Sequence, residues 1–188
     1  MPCDDPKLCV ALLVTMLGAA AGCAGPPETV FFVAVGARDE VPKARGACRL
    51  AEARPSAPLR FDPAGATYEA VDPGRVRIPC ERGVVVLDVR RASRLHVDST
   101  QAVKRGDLLM MELQAYDDAG QRLSVGRAPV AWSFTGALGP RKPPVCTGAE
   151  GACAPENAGY AVAFDEGEGQ VVARFSGLSS RIVVRVMP

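Results

Sequence analysis

The chain has 188 residues, 48% of them hydrophobic, and a formal net charge of +1 at pH 7. This balance offers no basic surface for a nucleic-acid partner, and the length is enough for one medium domain or two small ones. Glycine and proline, at 19 and 16 residues, punctuate the chain instead of filling one disordered tract. The composition therefore predicts a folded protein built from strands and turns.

The N-terminus carries an uncharged run, Leu8–Gly22. It is too short for the ~20 apolar residues of a membrane-spanning helix but typical of an export signal. The run ends in Ala20-Ala21-Gly22-Cys23, which resembles the lipobox of bacterial lipoproteins. The resemblance implies cleavage of a signal peptide, residues 1–22, lipid on Cys23, and a tether over residues 23–28. The residues after Cys23 favour the outer membrane. Two alternatives are an ordinary A-x-A cleavage site, which would release a soluble secreted protein, and an uncleaved anchor.

Beyond the tether, short runs of strand-forming residues alternate with Gly, Pro and Asp, without an amphipathic helix of about ten residues or more. The predicted strands are Val30–Val35, Ala47–Ala51, Leu59–Phe61, Thr67–Val71, Arg75–Ile78, Val84–Val89, Arg94–Val97, Leu108–Asp117, Val130–Phe134, Tyr160–Phe164, Gln170–Phe175 and Arg181–Met187. In the last strand Ile182, Val184 and Val186 share one face, which predicts antiparallel strands with one wet side. The spacing predicts an all-β protein of the sandwich class.

The two halves of the chain resemble each other. Gly74–Cys80 and Gly169–Phe175 share a period-2 pattern, and each is followed by a glycine-containing turn and a Val-rich closing strand. The repetition predicts two tandem modules, a first module over residues 29–91 and a second module over residues 92–188. The joint between them, Arg90–Ser93, carries arginines that we interpret as a solvated basic face.

The second module has a series of spaced residues that is similar to the bacterial Ig-like family. The series is Gly106, Leu113, Ala115, Asp117, Gly120, Val130-Ala131-Trp132-Ser133, Gly169-x-Val171 and a terminal V-x-V. The resemblance implies a Greek-key sandwich and a role as spacer, adhesin or interaction module without an active site. The first module is shorter than this pattern and is predicted to be a small Ig-like sandwich that lacks one or more strands. The resemblance also implies that Trp132 is a core anchor on the third strand; a ligand platform is the alternative.

The chain has seven cysteines, an odd number, so they cannot all form disulfides with each other in an exported protein. Cys3 and Cys9 would leave with the signal and Cys23 would carry lipid, so four remain for two disulfides in an oxidising compartment. Zinc is the competing explanation, but the chain has no CxxC and only one histidine, His96.

The resemblance to Ig-like sandwiches implies a disulfide between Cys48 and Cys80 that crosses from one sheet to the other. Cys146 and Cys153 would then pair within the Gly/Pro-rich stretch 136–159. This stretch is either a stapled connection or a presented loop that binds a glycan or cell-wall polymer.

Catalytic and metal-binding patterns are weak. Asp117, Asp118 and Asp165 lie in acidic turns that could hold Ca²⁺ only weakly, so hairpin turns are the favoured interpretation. His96 is the only possible imidazole base and no G-x-S-x-G occurs, so we expect no enzyme and no cofactor. The expected protein is a lipid-anchored structural or adhesive component of the cell envelope. Its partners would be the membrane, through the lipid, and an envelope protein or surface polymer.

Overall fold

The computed structural model describes residues 26–49, 58–62, 67–142 and 157–188. Within these ranges the chain forms strands and one short 3₁₀ turn, Lys43–Arg45. The strands are β1 Glu28–Glu40, β2 Leu59–Phe61, β3 Thr67–Ala70, β4 Gly74–Cys80, β5 Gly83–Arg90, β6 Arg94–Asp98, β7 Ala102–Lys104, β8 Leu108–Tyr116, β9 Arg122–Gly126, β10 Ala131–Gly136, β11 Leu138–Pro140, β12 Gly159–Ala163, β13 Gly167–Phe175 and β14 Leu178–Met187. The all-β fold class is confirmed. None of the residues so described belongs to a helix long and apolar enough to cross a membrane.

In the first module, β1 joins two layers around one core. The first half of β1 runs parallel to β5, and its last residues run antiparallel to β3. β4 and β2 complete the layers as antiparallel neighbours of β5 and β3. Between the two halves of β1 lies Gly36, whose φ of 90° favours glycine. The core they enclose consists of Val33, Ala37, Val41, Leu59, Tyr68, Ala70, Val76, Ile78, Val85, Leu87 and Val89.

The second module is a Greek-key sandwich. One sheet has the order β6–β8–β12–β11 and the other β10–β13–β14–β7. These orders correspond to the ABED and CFG sheets of an immunoglobulin-like fold, with β7 added in parallel to the last strand. Three strands, β7, β9 and β11, were not predicted from the sequence. The sandwich encloses a core drawn from both sheets: Leu95, Val97, Val103, Leu109, Met111, Leu113, Ala115, Ala161, Ala163, Val171, Ala173, Phe175, Val184 and Val186 are among its members.

β1 also contacts the second module. β9 forms a hairpin with β8 and pairs in parallel with β1, where Val33 faces Ser124 and Arg38 faces Gly126. Ala34 of β1 is buried in the core of the second module, whereas the preceding residue is buried in the core of the first. Antiparallel pairs predominate as predicted, but β1–β5, β1–β9 and β7–β14 are parallel. The module boundary after residue 91 stays a prediction, because β1 lies on both cores.

The disulfide between Cys48 and Cys80 is present, but it does not cross between sheets. The two cysteines face each other as an antiparallel bridge, and the N–H of Glu81 donates to the Ala47 carbonyl at 3.0 Å. The bond therefore links neighbouring strands within one sheet, and the expected inter-sheet geometry was wrong. The order of strands along the chain does not tell which of them become hydrogen-bonded neighbours, and here the Cys48 segment pairs directly with β4.

Candidate functional site: the junction between the modules

Arg90, the last residue of β5, contacts both modules. Its Nη1 donates to Asp117 Oδ2 at 2.8 Å, and its Nη2 donates to Asp88 Oδ2 at 3.0 Å. The guanidinium carbon lies 4.5 Å from the centroid of the Phe32 ring, a cation–π geometry. The interpretation of the joint as a solvated basic face was therefore wrong for Arg90, which pairs with two carboxylates and an aromatic ring.

Asp117, the residue after β8, is the partner of Arg90 in the second module. The Arg90 guanidinium lowers the pKa of the Asp117 carboxyl, and the backbone N–H groups of Gln121 and Ala119 lower it further. These N–H groups donate to Asp117 Oδ1 at 2.8 and 3.0 Å. The pKa of Arg90 is raised mainly by its hydrogen bonds to Asp88 and Asp117. Asp117 is thus engaged in a hairpin turn and an ion pair at once.

The three carboxylates of the calcium alternative are not brought together. Asp117 and the exposed Asp118 follow the end of β8, whereas Asp165 follows β12, which pairs with the beginning of β8. At 3.3 Å per residue, β8 separates these turns by roughly 30 Å. Among the described residues, no group of three or more His, Cys, Asp or Glu side chains could hold a metal ion.

A second contact between the modules requires a glycine. The Arg127 N–H donates to the Arg38 carbonyl at 2.5 Å, and Arg127 Nη2 lies 3.3 Å from Glu40 Oε1. A Cβ on Gly126 would lie 2.2 Å from the same Arg38 oxygen, closer than any side chain allows. The close approach of β9 to β1 therefore depends on Gly126 more than on the exposed ion pair, since such pairs contribute about 0–1 kcal/mol.

A third contact is apolar. Phe175, the last residue of β13, is 5% exposed. Its ring lies 3.4 Å from the position that a Cβ would take on Gly36 in the middle of β1. The turn between β13 and β14 is thereby packed against β1. Together the three contacts join the two modules at the junction.

A cleft of about 650 Å³ opens beside the junction. Its walls come from both modules and include Arg38, Arg60, Tyr68 and Arg127. Arg38 Nη2 is 3.0 Å from Glu69 Oε1, so charges of both signs line the opening. Burial, with a smaller contribution from the Asp39 charge, raises the pKa of Tyr68 far above its usual value, so its phenol stays neutral. Three arginines and three acidic residues line this cleft, so it does not select one sign of charge.

Trp132 lies between the two sheets of the second module. It is half-buried against the core, and its Nε1 donates to the Asn157 carbonyl at 3.3 Å. A Cβ on Gly159 of the opposite sheet would lie 2.6 Å from the indole, so the ring occupies that space. The Phe134 ring is parallel to it, with centroids 6.5 Å apart. The geometry is that of packing between layers.

The remaining candidate residues lie apart from the junction. His96 is exposed on β6 opposite Gln114, in a shallow groove that also contains Asp98 and Ser99. Cys23, Cys146 and Cys153 lie outside the described residues, as do residues 143–156 of the proposed binding loop.

Sequence reasoning did not identify the residues of the junction. Arg90 and Asp117 are separated by 27 positions, and the sequence shows two charges without showing that they meet. A weak signal was available in β9, where Leu123 and Val125 alternate with polar residues and are buried. A strand at that position would have supplied the second strand of the hairpin turn predicted at Asp117.

No family model matches the chain, and no curated protein matches it significantly. Among solved structures, domains 4 and 5 of the S-layer protein SbsC are 12% identical at a TM-score of 0.35, covering 64% of this chain and 69% of that one. The Escherichia coli adhesin FdeC is 16% identical at 0.36, with coverages of 66% and 46%. A Parabacteroides merdae β-glucuronidase is 15% identical at 0.36, with coverages of 68% and 18%. The chain spans less than half of the adhesin chain and less than a fifth of the glucuronidase chain. Likenesses this distant carry no argument about function.

Proposed function

We propose that this chain is a lipid-anchored, non-catalytic protein of the cell envelope. In this proposal the lipid on Cys23 binds the membrane, with the outer membrane favoured, and the second module acts as a structural or interaction component that contacts an envelope partner. The observation that carries the proposal is the continuity of β1, which starts close after the anchor position and is buried in both cores.

The direction of the strands supports a spacer role. β1 is parallel to β9, and β9 is antiparallel to β8, so β8 begins at the end of the molecule opposite Glu28. The pairings Val33–Ser124 and Leu123–Ala115 separate Glu28 from Leu108 by about a dozen residues, or roughly 40 Å. A lipid near residue 23 would hold that far end away from the bilayer.

The anchor is tested by labelling cells with an alkyne-bearing fatty acid and separating membrane from soluble fractions. We expect the unaltered protein to carry the label and to sediment with membranes, and Cys23→Ser to lose both properties. The double variant Cys48→Ser/Cys80→Ser is the control, because those thiols are bonded to each other. It should keep its label.

Mass spectrometry of the mature N-terminus provides the contradicting outcome. A chain that begins at Gly22 with an unmodified Cys23 would exclude the anchor and favour the secreted alternative. The contacts between the modules would remain, since they are formed by residues after Pro27.

A further inference from the structure

An apolar patch covers one end of the outer face of the β6–β8–β12–β11 sheet. Leu108, Met110 and Phe164 are 66%, 57% and 52% exposed. Leu108 faces Val162 and Met110 faces Tyr160 across the β8–β12 pair, so these side chains are contiguous. We call Leu108, Met110, Tyr160, Val162 and Phe164 the apolar patch. It lies at the end of the second module farthest from Glu28.

The patch departs from the pattern of a sheet with one wet face. β8 begins Leu-Leu-Met-Met; Leu109 and Met111 point inward and are 5% and 0% exposed, whereas their neighbours are apolar although they point outward. An antiparallel sheet with one solvated face normally alternates apolar and polar residues. The outward positions of the adjacent strand β6 follow that rule: they are Arg94, His96 and Asp98. Contiguous exposed apolar side chains mark interaction surfaces, whereas scattered ones need no explanation.

The rim of the patch carries opposite charges at its two ends. Arg141 and Lys142 lie at one end, where the Arg141 N–H donates to the Tyr160 carbonyl at 2.9 Å. Asp165 and Glu166 lie at the other end, directly after Phe164. All four are exposed, and none forms an ion pair within the described part of the chain. A two-fold axis that lies in the plane of the contact, perpendicular to β12, would place the acidic end of one copy over the basic end of the other.

We infer that the apolar patch docks a second copy of this chain, back to back about a two-fold axis, with Arg141 and Lys142 of each copy facing Asp165 and Glu166 of the other. A two-fold interface uses the same surface on both copies, so the surface must be complementary to itself in shape and charge. Five apolar side chains cover only part of the ~800 Å² per partner of a typical stable complex, so we expect a dimer of micromolar affinity. The inference does not depend on the lipid anchor.

The test measures sedimentation of the mature chain carrying Cys23→Ser, so that association of lipids cannot imitate a dimer. We expect a monomer–dimer equilibrium at micromolar concentrations. Leu108→Glu should raise the dissociation constant about 100-fold or more, since it buries a charge at the centre of the interface. Val183→Glu is the matched control: Val183 is 50% exposed on the outer face of the other sheet, so its change should leave the dimer intact.

Charge reversal tests the arrangement of the two copies. Arg141→Glu/Lys142→Glu should weaken the dimer about tenfold or more, and adding Asp165→Lys/Glu166→Lys should restore it. Thermal unfolding of each variant within a few degrees of the parent shows that the fold is kept. A chain that stays monomeric at several hundred micromolar, or a dimer indifferent to Leu108→Glu, would overturn the proposal. Failure of the restoring substitutions would overturn the two-fold arrangement.

Discussion

Two hairpins occupy equivalent places in the modules but are held differently. Their first strands, β4 and β13, both bury alternate residues, and both hairpins turn through two residues, Glu81-Arg82 and Ser176-Gly177. The residue before the turn is Cys80 in one and Phe175 in the other. Cys80 is bonded to Cys48 within its own module, whereas Phe175 packs against β1 of the other module.

The difference follows from the size of the two cores. Among the described residues, 11 buried side chains form the first core and 20 form the second. A small core stabilises a fold only marginally, and a disulfide adds stability by restricting the unfolded chain. The larger core needs no such bond, so the same position is available for a contact that couples the modules.

The largest expected effect comes from removing the apolar contact. Phe175→Ala should lower the free energy of unfolding by about 3–5 kcal/mol, because it leaves a cavity where a buried ring met β1. Urea unfolding followed by the fluorescence of Trp132, the sole tryptophan, measures the effect on the second module. Phe175→Leu is the control and should cost less than about 1.5 kcal/mol. An alanine variant as stable as the parent would show that the contact does not hold the junction.

Removing the Cys48–Cys80 disulfide should destabilise the first module. Cys48→Ala/Cys80→Ala should destabilise the first module by about 3–4 kcal/mol, since the bond closes a sequence separation of 32 residues. In this variant, circular dichroism should report unfolding of the first module at a lower urea concentration than Trp132 fluorescence reports unfolding of the second. Coincident shifts of both signals would mean that the modules unfold as one unit, contrary to the comparison.

The smallest expected effect depends on pH. The pKa of Asp117 is lowered in the folded state by Arg90, so the pair contributes stability that is present above the ordinary carboxyl pKa of about 3.9 and is lost as pH falls through the lower folded value. Asp117→Asn should therefore melt at a lower temperature than the parent near neutral pH, and the two melting temperatures should begin to converge only as pH falls below about 4. Asp118→Asn, changed in the same exposed turn, should show no such difference. A difference in melting temperature between the parent and Asp117→Asn that persists in acid would exclude the ion pair as its cause.

Strand positions with strong alternation could be predicted from the sequence, and shorter ones could not. β13 and β14 were found because buried or half-buried residues recur at every second position along these long strands. β7 and β11 have three residues each, too few to show a period. β1 was predicted to stop before Gly36, since glycine usually ends a strand, but the chain continues to Glu40 on a new partner.

Contacts between distant residues were the least predictable. The pairing of Cys48 with Cys80 followed from the resemblance, but its place within one sheet depended on strand neighbours that the sequence does not specify. The junction was missed for the same reason: Phe175 and Gly36 come together only after two modules have folded against each other.

The shared strand β1 also has a consequence for the order of folding. It is synthesised before its partners, since β5 follows more than fifty residues later and β9 later still. Pairings so distant in sequence form slowly, because a long loop must close before any contact is gained. Until then Val30–Val35 is an uncharged strand former with unsatisfied edges, the type of segment that aggregates. The strand that joins the two modules is therefore also the segment most exposed to aggregation before the modules fold.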